Sequence, residues 1–169
     1  MNVQQRIAAL RERMAQENMQ AYIVVTDDFH GSEYVWDYFK ARSFMTGFTG
    51  SAGTLVVLKE EAALWTDGRY FLQAARQLQG SGITLMRMGE ENVPKIPQFL
   101  AEHLPEKAVI GFDGRTISNG FAGQIIEQIK GKNISFAYDK DLVDAIWTER
   151  PALSKEPVWE LEASYVGCT

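Results

Sequence analysis

The stretch of residues 44–74 constrains the fold more than any other part of this sequence. A glycine-rich turn, two apolar runs and a helix start follow one another there without a spare residue. The apolar runs cover residues 54–58 and 62–65 and flank the charged residues 59–61, a pattern that predicts a hairpin. We therefore expect two antiparallel strands that lie side by side in a sheet.

A helix is predicted directly after this hairpin. Asp67 stands at a position suited to an N-cap, and the helix is expected from about residue 68 to residue 78. Phe71, Ala75 and Leu78 would then lie on one face.

The rest of the chain alternates between strand and helix patterns. Short apolar runs predict further strands at residues 21–25, 83–88, 108–112 and 134–137. Helical spacing predicts helices that carry Val3 to Met14, residues 94–104, and Phe121, Ile125 and Ile129. Asn2 and Ser118 are placed to cap the first and last of these helices. The alternation predicts an α/β fold, a three-layer α/β/α arrangement with a mixed sheet of about six strands and residues 21–25 near its centre.

Composition limits the partners. The 169 residues carry a net charge of -5 with scattered Lys and Arg, which argues against nucleic acid and against an anionic membrane surface. No apolar run approaches the roughly 20 residues that span a bilayer. The single Cys168 cannot form an internal disulfide, and the first residues lack the apolar core of a signal peptide. We therefore expect a cytoplasmic protein.

The sequence offers little of the chemistry that a catalytic site needs. His30 and His103 are its two histidines, and no zinc-binding motif is present. A loop that contains Asp27, Asp28, Glu33 and His30 has groups that could bind a hard cation, but loop polarity explains them better. We predict no metal ligand and no catalytic residue in this chain.

The glycine-rich turn does not match the known functional motifs that contain several glycines. Residues 47–53 match neither a phosphate-binding loop nor a dinucleotide-binding loop. Thr49 occupies the place where a nucleophile elbow requires glycine, so Ser51 is a poor nucleophile. The glycines more simply permit positive φ and close backbone packing.

Arg69 occupies an unusual position for a cation, the first turn of a predicted helix, where the helix dipole disfavours positive charge. Pairing with Asp67, or stacking on Trp65 or Tyr70, is one explanation. The other is that the guanidinium projects toward a ligand, because ligands collect at the ends of strands in α/β sheets. From these residues alone, both explanations stay open.

A second open question concerns the aromatic residues that precede the hairpin. They are Tyr34, Trp36, Tyr38, Phe39, Phe44 and Phe48. Core positions are favoured for most of them, although so many rings in one loop region also fit a contact surface.

The pattern changes after Trp147. Residues 148–157 show no regular period, and Pro151 and Pro157 each push the preceding residue out of helical space, so this part is interpreted as a linker. Residues 158–169 are more apolar than a free end requires. We favour packing of this tail on its own domain, and the alternative is that it continues into a further domain.

Five short motifs carry a resemblance to a known family. They are His30-Gly31-Ser32-Glu33-Tyr34, Arg42-Ser43-Phe44, Gly47-Phe48-Thr49-Gly50-Ser51-Ala52-Gly53-Thr54, Trp65-Thr66-Asp67-Gly68-Arg69-Tyr70-Phe71-Leu72-Gln73-Ala74 and Leu142-Val143-Asp144-Ala145-Ile146-Trp147. In this order they resemble the amino-terminal domain of the three-domain Xaa-Pro aminopeptidases, within the wider creatinase/prolidase group. The resemblance implies a ribonuclease-H-like fold. It also implies a domain at residues 1–147, followed at 148–169 by a linker and the start of the next domain.

The resemblance further implies that the amino-terminal and carboxy-terminal domains have different roles. The intact enzymes hydrolyse the bond before proline with two divalent ions, usually manganese, which a carboxy-terminal catalytic domain binds. The amino-terminal domain is non-catalytic, contributes to homodimer formation and limits access to the catalytic cleft. Arg69, which matches the arginine of the Trp-Thr-Asp-Gly-Arg-Tyr motif, is expected to contact the bound proline-containing peptide.

Two alternatives accompany this interpretation. The chain could be the corresponding domain of an Xaa-Pro dipeptidase or a creatinase, which share the fold but match residues 47–54 and 65–70 less closely. It could also be a free-standing interaction module that binds a partner or a second copy through its aromatic loop.

Overall fold

A computed structural model gives the fold and describes residues 1–32 and 34–166. Glu33 and Cys168 lie outside the described residues, so the interpretations that rest on these two side chains remain predictions. The strands are β1 (Ala21–Val25), β2 (Thr54–Leu58), β3 (Ala62–Thr66), β4 (Thr84–Arg87), β5 (Val109–Phe112) and β6 (Ser135–Ala137). The α-helices are α1 (Val3–Gln16), α2 (Ala41–Thr46), α3 (Phe71–Gln77), α4 (Ile96–His103), α5 (Asn119–Gln128) and α6 (Ala163–Val166). Within the described ranges, no helix is both long and apolar enough to cross a membrane.

The six strands form one mixed sheet in the order β4-β3-β2-β1-β5-β6. Strand β2 is antiparallel to β1 and β3, and the other three neighbouring pairs are parallel. The predicted hairpin is present, with Thr54 opposite Trp65, and β1 takes the predicted central place. Every strand except β2 therefore ends at the same edge of the sheet, where β2 begins.

Alternate residues of β1 face two separate layers of helices. Tyr22 and Val24 pack in one apolar cluster with buried residues of α1, α2 and α3. Ala21 and Ile23 pack in a second cluster with buried residues of α4 and α5. Because this strand is covered on both faces, its sequence is continuously apolar rather than alternating. The fold is the predicted three-layer α/β/α arrangement, ribonuclease-H-like in type.

Side chains cap the N-termini of α1 and α5, as predicted. The Asn2 side chain accepts a hydrogen bond from the Gln5 backbone N–H at 2.9 Å, and the Gln5 side chain accepts one from the Asn2 backbone N–H at 2.9 Å. This reciprocal pair satisfies two N–H groups that a helix start otherwise leaves without a partner. Ser118 caps α5 by accepting from the Phe121 N–H at 3.2 Å.

The helix after Asp67 differs from the prediction in its start and in its buried face. Residues Gly68–Tyr70 form a 3-10 turn, and the α-helix begins only at Phe71. Two adjacent alanines fit the apolar spacing equally well, because steps of three then four residues and of four then three residues both lie on one helical face. Ala74 and Leu78 are buried, whereas Ala75 is exposed. The prediction that Ala75 shares the buried face is therefore wrong.

Two further differences concern helix boundaries. The sequence pattern does not predict α2, whose six residues are too few to show a period and which ends at Gly47 with φ 71. Helix α4 begins at Ile96 rather than at residue 94, and its proline lies near the start of the helix at Pro97.

The tail does not pack on the domain in the part that the structure describes. Val158, Trp159 and Tyr165 are 101%, 72% and 75% exposed, and α6 buries none of its residues. The favoured interpretation, packing of the tail on its own domain, is therefore wrong for residues 158–166.

Tyr22 connects the central strand to the segment after β6. Its ring is buried, its hydroxyl donates to the Lys140 carbonyl at 2.8 Å, and the same oxygen accepts from the Leu142 N–H at 3.0 Å. Burial raises the pKa of the Tyr22 hydroxyl above its ordinary value. The phenol therefore stays neutral and both hydrogen bonds persist.

We expect Tyr22→Phe to lower the free energy of unfolding by about 1 to 3 kcal/mol, because the buried Leu142 N–H loses its acceptor. Chemical denaturation of the 169-residue chain measures this change. Tyr138→Phe is the matched control, since Tyr138 is 65% exposed, and its effect should stay within about 0.5 kcal/mol. Equal stability of Tyr22→Phe and the unmodified chain would contradict the account.

Candidate functional site

A polar cleft of about 450 Å³ opens at the edge where β1 and β3 end and β2 begins. Residues 25–27 and 31–32, from the last residue of β1 onward, form one wall, and residues 51–54, up to the first residue of β2, form another. Arg69, which follows β3, also lines it. Crevices at the carboxyl ends of strands are where open α/β sheets bind ligands. We take this cleft as the candidate site.

A second, more apolar cavity of about 490 Å³ lies beside the cleft. It is lined by Trp65, Met88 and Phe121 and shares residues 52–54 with the cleft. The Trp65 indole N–H donates to the Pro94 carbonyl at 2.8 Å, which fixes one wall. The two cavities are thus neighbours along the same edge, and Arg69 lines the polar one.

Arg69 is held by the residue that caps its own turn. The Asp67 carboxylate accepts from the Arg69 backbone N–H at 3.0 Å, from Nε at 2.9 Å and from Nη2 at 2.9 Å. The Arg69 side chain is 63% exposed. Its hydrogen bond to Asp67 lowers the pKa of that carboxyl below its ordinary value. The predicted pairing is therefore present, and Arg69 also borders the cleft; ligand binding by Arg69 remains a prediction.

Tyr70 connects Arg69 to the glycine-rich turn. The Arg69 guanidinium carbon lies 5.2 Å from the centre of the Tyr70 ring, and the Tyr70 hydroxyl is 2.7 Å from Ser51 Oγ. Ser51 and Tyr70 therefore share a hydrogen bond that ties the turn to the residue after Arg69, and the assessment of Ser51 as a poor nucleophile remains a prediction. The turn is fixed again at Thr49, whose N–H donates to the Gln77 side chain at 3.0 Å.

Close packing explains why glycine occupies the turn. A Cβ on Gly50 would lie 2.3 Å from the Phe48 ring and 2.8 Å from the Tyr70 ring, so both rings would have to move to admit any other residue. Gly47 has φ 71, in the left-handed region that favours glycine. Both explanations predicted from sequence, positive φ and close approach, are present.

Arg42 belongs to one of the family motifs, but sequence reasoning assigned it no role, and the structure shows that it bonds to this turn from inside. The residue is 2% exposed. Its guanidinium donates to the carbonyls of Phe48 and Gly50 and to the Thr26 hydroxyl at 2.8 Å. Burial lowers the pKa of Arg42 to about 10, so the side chain is still charged at neutral pH. Its spacing to the buried Met45, three residues on in α2, is a local signal of its burial.

The aromatic group divides between core and surface. Phe39 and Phe48 are buried, whereas Tyr34 and Trp36 are 84% and 43% exposed. Phe44 stacks on Trp147 with the ring centres 4.5 Å apart. Part of the group therefore belongs to the core, and the exposed part is available as a contact surface.

Asp28 and His30 contact each other within their loop. The buried Asp28 carboxylate accepts from the His30 backbone N–H at 2.8 Å and lies 3.4 Å from His30 Nδ1. In the described part of the chain, no three His, Cys, Asp or Glu side chains are grouped as a metal site would require. These contacts fit the interpretation of the loop as structural.

Comparison with protein families identifies the domain. Residues 6–145 match the model of the creatinase/prolidase N-terminal domain. The chain belongs to this family. The match spans every strand and the helices α2 to α5, so it covers both walls of the cleft and Arg69.

Curated relatives are several times longer than this chain. A probable Xaa-Pro aminopeptidase P from Botryotinia fuckeliana is 41% identical over 169 residues, which cover 98% of this chain and 26% of the relative. Aminopeptidase P1 of Arabidopsis thaliana is 42% identical over 155 residues, which cover 90% of this chain and 24% of the relative. The chain thus spans about a quarter of the length of these relatives and corresponds to the amino-terminal part of aminopeptidase P-type proteins.

Two of the solved structures with this fold also belong to longer proteins. An X-prolyl aminopeptidase from Caenorhabditis elegans, described as a cytosolic enzyme with a di-nuclear active site, matches with a TM-score of 0.88 and 34% identity, over 100% of this chain and 29% of that protein. An Xaa-Pro dipeptidase from Bacillus anthracis matches with a TM-score of 0.61 and 21% identity, over 86% of this chain and 36% of that protein. The second likeness shows the shared fold alone.

We expect Arg42→Met to lower the free energy of unfolding by about 2 to 4 kcal/mol, because two buried carbonyls and a hydroxyl lose their donor while the apolar stem is kept. Chemical denaturation of the 169-residue chain gives the value. Arg76→Met, at an exposed arginine of α3, is the control and should change stability by no more than about 0.5 kcal/mol. The account fails if both variants unfold at the same denaturant concentration.

Proposed function

We propose that this chain is the non-catalytic amino-terminal domain of a metal-dependent Xaa-Pro aminopeptidase, an enzyme that removes the N-terminal residue preceding proline. The observation that carries the proposal is the match over the whole chain to the C. elegans X-prolyl aminopeptidase, at 34% identity and a TM-score of 0.88. The curated relatives from B. fuckeliana and A. thaliana, at 41% and 42% identity, are likewise named as aminopeptidases. We therefore rank an Xaa-Pro dipeptidase or creatinase origin as the weaker alternative.

In this proposal the chemistry belongs to the rest of the polypeptide. The nematode relative has a di-nuclear active site, and the described residues of this chain contain no group of three potential metal ligands. A carboxy-terminal catalytic domain would hold two divalent ions, and manganese is the metal that we propose. We also place the protein in the cytoplasm, because the nematode relative is a cytosolic enzyme.

The domain itself would contribute dimer contacts and restrict access to the catalytic cleft. Arg69 is the residue that we assign to substrate. It lies at the carboxyl edge of the sheet, borders a polar cleft and keeps 63% of its side chain exposed. A guanidinium in this place can donate to a carbonyl or a carboxylate of a bound proline-containing peptide.

A free-standing interaction module is the second candidate, and exposed aromatic rings favour it. Phe29, Tyr34 and Trp36 are 51%, 84% and 43% exposed, in one loop region. Apolar surface of this kind is typical of contact sites. The length of the encoding reading frame separates the two candidates, since an enzyme requires a frame that continues for hundreds of codons and a module does not.

We expect the full-length protein to hydrolyse X-Pro peptides and to lose this activity when its metal ions are removed by a chelator. Addition of Mn²⁺ should restore it, since divalent ions bound by the catalytic domain would activate a water for attack on the peptide bond. The 169-residue chain alone should show no hydrolysis with or without Mn²⁺. Manganese-dependent hydrolysis by this shorter chain would overturn the assignment of chemistry to another domain.

We expect Arg69→Ala in the full-length protein to lower kcat/KM for X-Pro peptides roughly tenfold, the effect of losing one charge-assisted hydrogen bond. Thermal unfolding should stay unchanged, because the side chain is largely exposed. Arg76→Ala removes a nearby exposed arginine that does not line the cleft and serves as the control. Unchanged kinetics of Arg69→Ala would remove Arg69 from the substrate site.

A further inference from the structure

The tripeptide Asp-Gly-Arg occurs twice in this chain, each time directly after a strand that runs parallel to β1. Asp67 to Arg69 follow β3, and Asp113 to Arg115 follow β5. In both copies the carboxylate accepts from the arginine backbone N–H at 3.0 Å, from Nε at 2.9 Å and from Nη2 at 2.9 Å. The same arrangement is therefore built at two places on one edge of the sheet.

The second copy serves the structure of the domain. Arg115 Nη2 also donates to Tyr38 Oη at 3.2 Å and to the Asp141 carboxylate at 3.1 Å. Its guanidinium carbon lies 5.3 Å and 5.6 Å from the ring centres of Tyr38 and Phe39. Arg115 thus joins the aromatic loop to the segment after β6.

The first copy holds an arginine at the cleft. The Arg69 side chain is 63% exposed, compared with 44% for Arg115. Of the two arginines, only Arg69 is among the residues that line the polar cleft. The two copies therefore share their local geometry and differ in what the guanidinium faces.

A carboxylate two residues away restricts an arginine before any ligand arrives. An exposed arginine has many rotamers, and fixing them on binding costs conformational entropy. A bidentate contact through Nε and Nη2 sets the plane of the guanidinium in advance, which lowers that cost for a ligand. Tyr70, with its ring 5.2 Å from the guanidinium carbon, restricts the side chain from another direction.

We propose that Asp67 is a positioning residue, which holds the Arg69 guanidinium in the orientation that binds a proline-containing peptide. The inference rests on the proposed substrate role of Arg69. It predicts an effect opposite in sign to simple electrostatics: removal of the Asp67 charge leaves the site more positive, yet peptide binding becomes weaker because orientation is lost.

The test compares Asp67→Asn, Arg69→Ala and the double variant in the full-length protein with an X-Pro peptide. Asparagine keeps an oxygen that can accept from the Arg69 N–H, so the turn is preserved and the ion pair is lost. We expect KM to rise about fivefold with kcat within about twofold, the size expected for one exposed ion pair. The double variant should match Arg69→Ala alone, since both changes act through one side chain.

Asp113→Asn is the matched control, because it makes the same change in the second copy of the tripeptide. Its KM should stay within about twofold of the unmodified protein. An equal rise in KM for Asp113→Asn, an unchanged KM for Asp67→Asn, or effects that multiply in the double variant would each overturn the proposal. A normal KM for Arg69→Ala would overturn it together with the substrate role of Arg69, while leaving aminopeptidase activity in place.

A second measurement does not depend on activity. Nitrogen relaxation at Arg69 Nε in the 169-residue chain should show a more mobile side chain in Asp67→Asn, and the lowered pKa of Asp67 should rise in Arg69→Ala. Unchanged mobility of Arg69 would overturn the positioning role even if the full-length protein proves to have another activity. Failure to cleave any X-Pro peptide would instead count against the proposed function.

Discussion

One buried cation holds together the long connection between β1 and β2. Arg42 donates to the Thr26 hydroxyl, directly after β1, and to the carbonyls of Phe48 and Gly50, shortly before β2. The guanidinium thus bonds to acceptors near both ends of the connection and ties the start of one cleft wall to the glycine-rich turn. Ser51 of that turn is hydrogen-bonded to Tyr70, whose ring lies 5.2 Å from the Arg69 guanidinium carbon, so a chain of contacts runs from Arg42 to Arg69.

A second cluster of charges fixes the middle of the same connection. Arg150 donates to the Tyr38 carbonyl at 2.8 Å and to the Asp141 carboxylate at 2.6 Å, and its guanidinium carbon lies 3.8 Å from the centre of the Tyr38 ring. Arg115 contacts the same phenol and the same carboxylate. Arg150, at the beginning of the linker, and Arg115 therefore form one network with Asp141 and Tyr38. This network anchors the loop that also carries the exposed Trp36.

Local signals were sufficient for much of the fold and for part of the site. Asn2 caps a helix by binding a residue three positions away, and Asp67 binds Arg69 two positions away. Both contacts are local, so they can be predicted from residues close together in the sequence. Arg42 could not be placed in this way, because its acceptors come from separate parts of the connection. The burial of Ala74 instead of Ala75 has a smaller reason: the two residues are adjacent and identical, and both fit the helical spacing between Phe71 and Leu78. Sequence patterns thus predicted the elements, while the contacts between distant segments required the structure.

The place of β1 in the sheet has a consequence for how the chain folds during synthesis. One edge of β1 pairs with β2, with Val25 opposite Thr54, and this pairing is available soon after the hairpin emerges. The other edge pairs with β5, with Ala21 opposite Ile110, so it stays open until most of the domain has been made. Long-range pairings of this kind form slowly and leave strand edges exposed in the meantime. The apolar central strand therefore keeps one edge unpaired until β5 has been made.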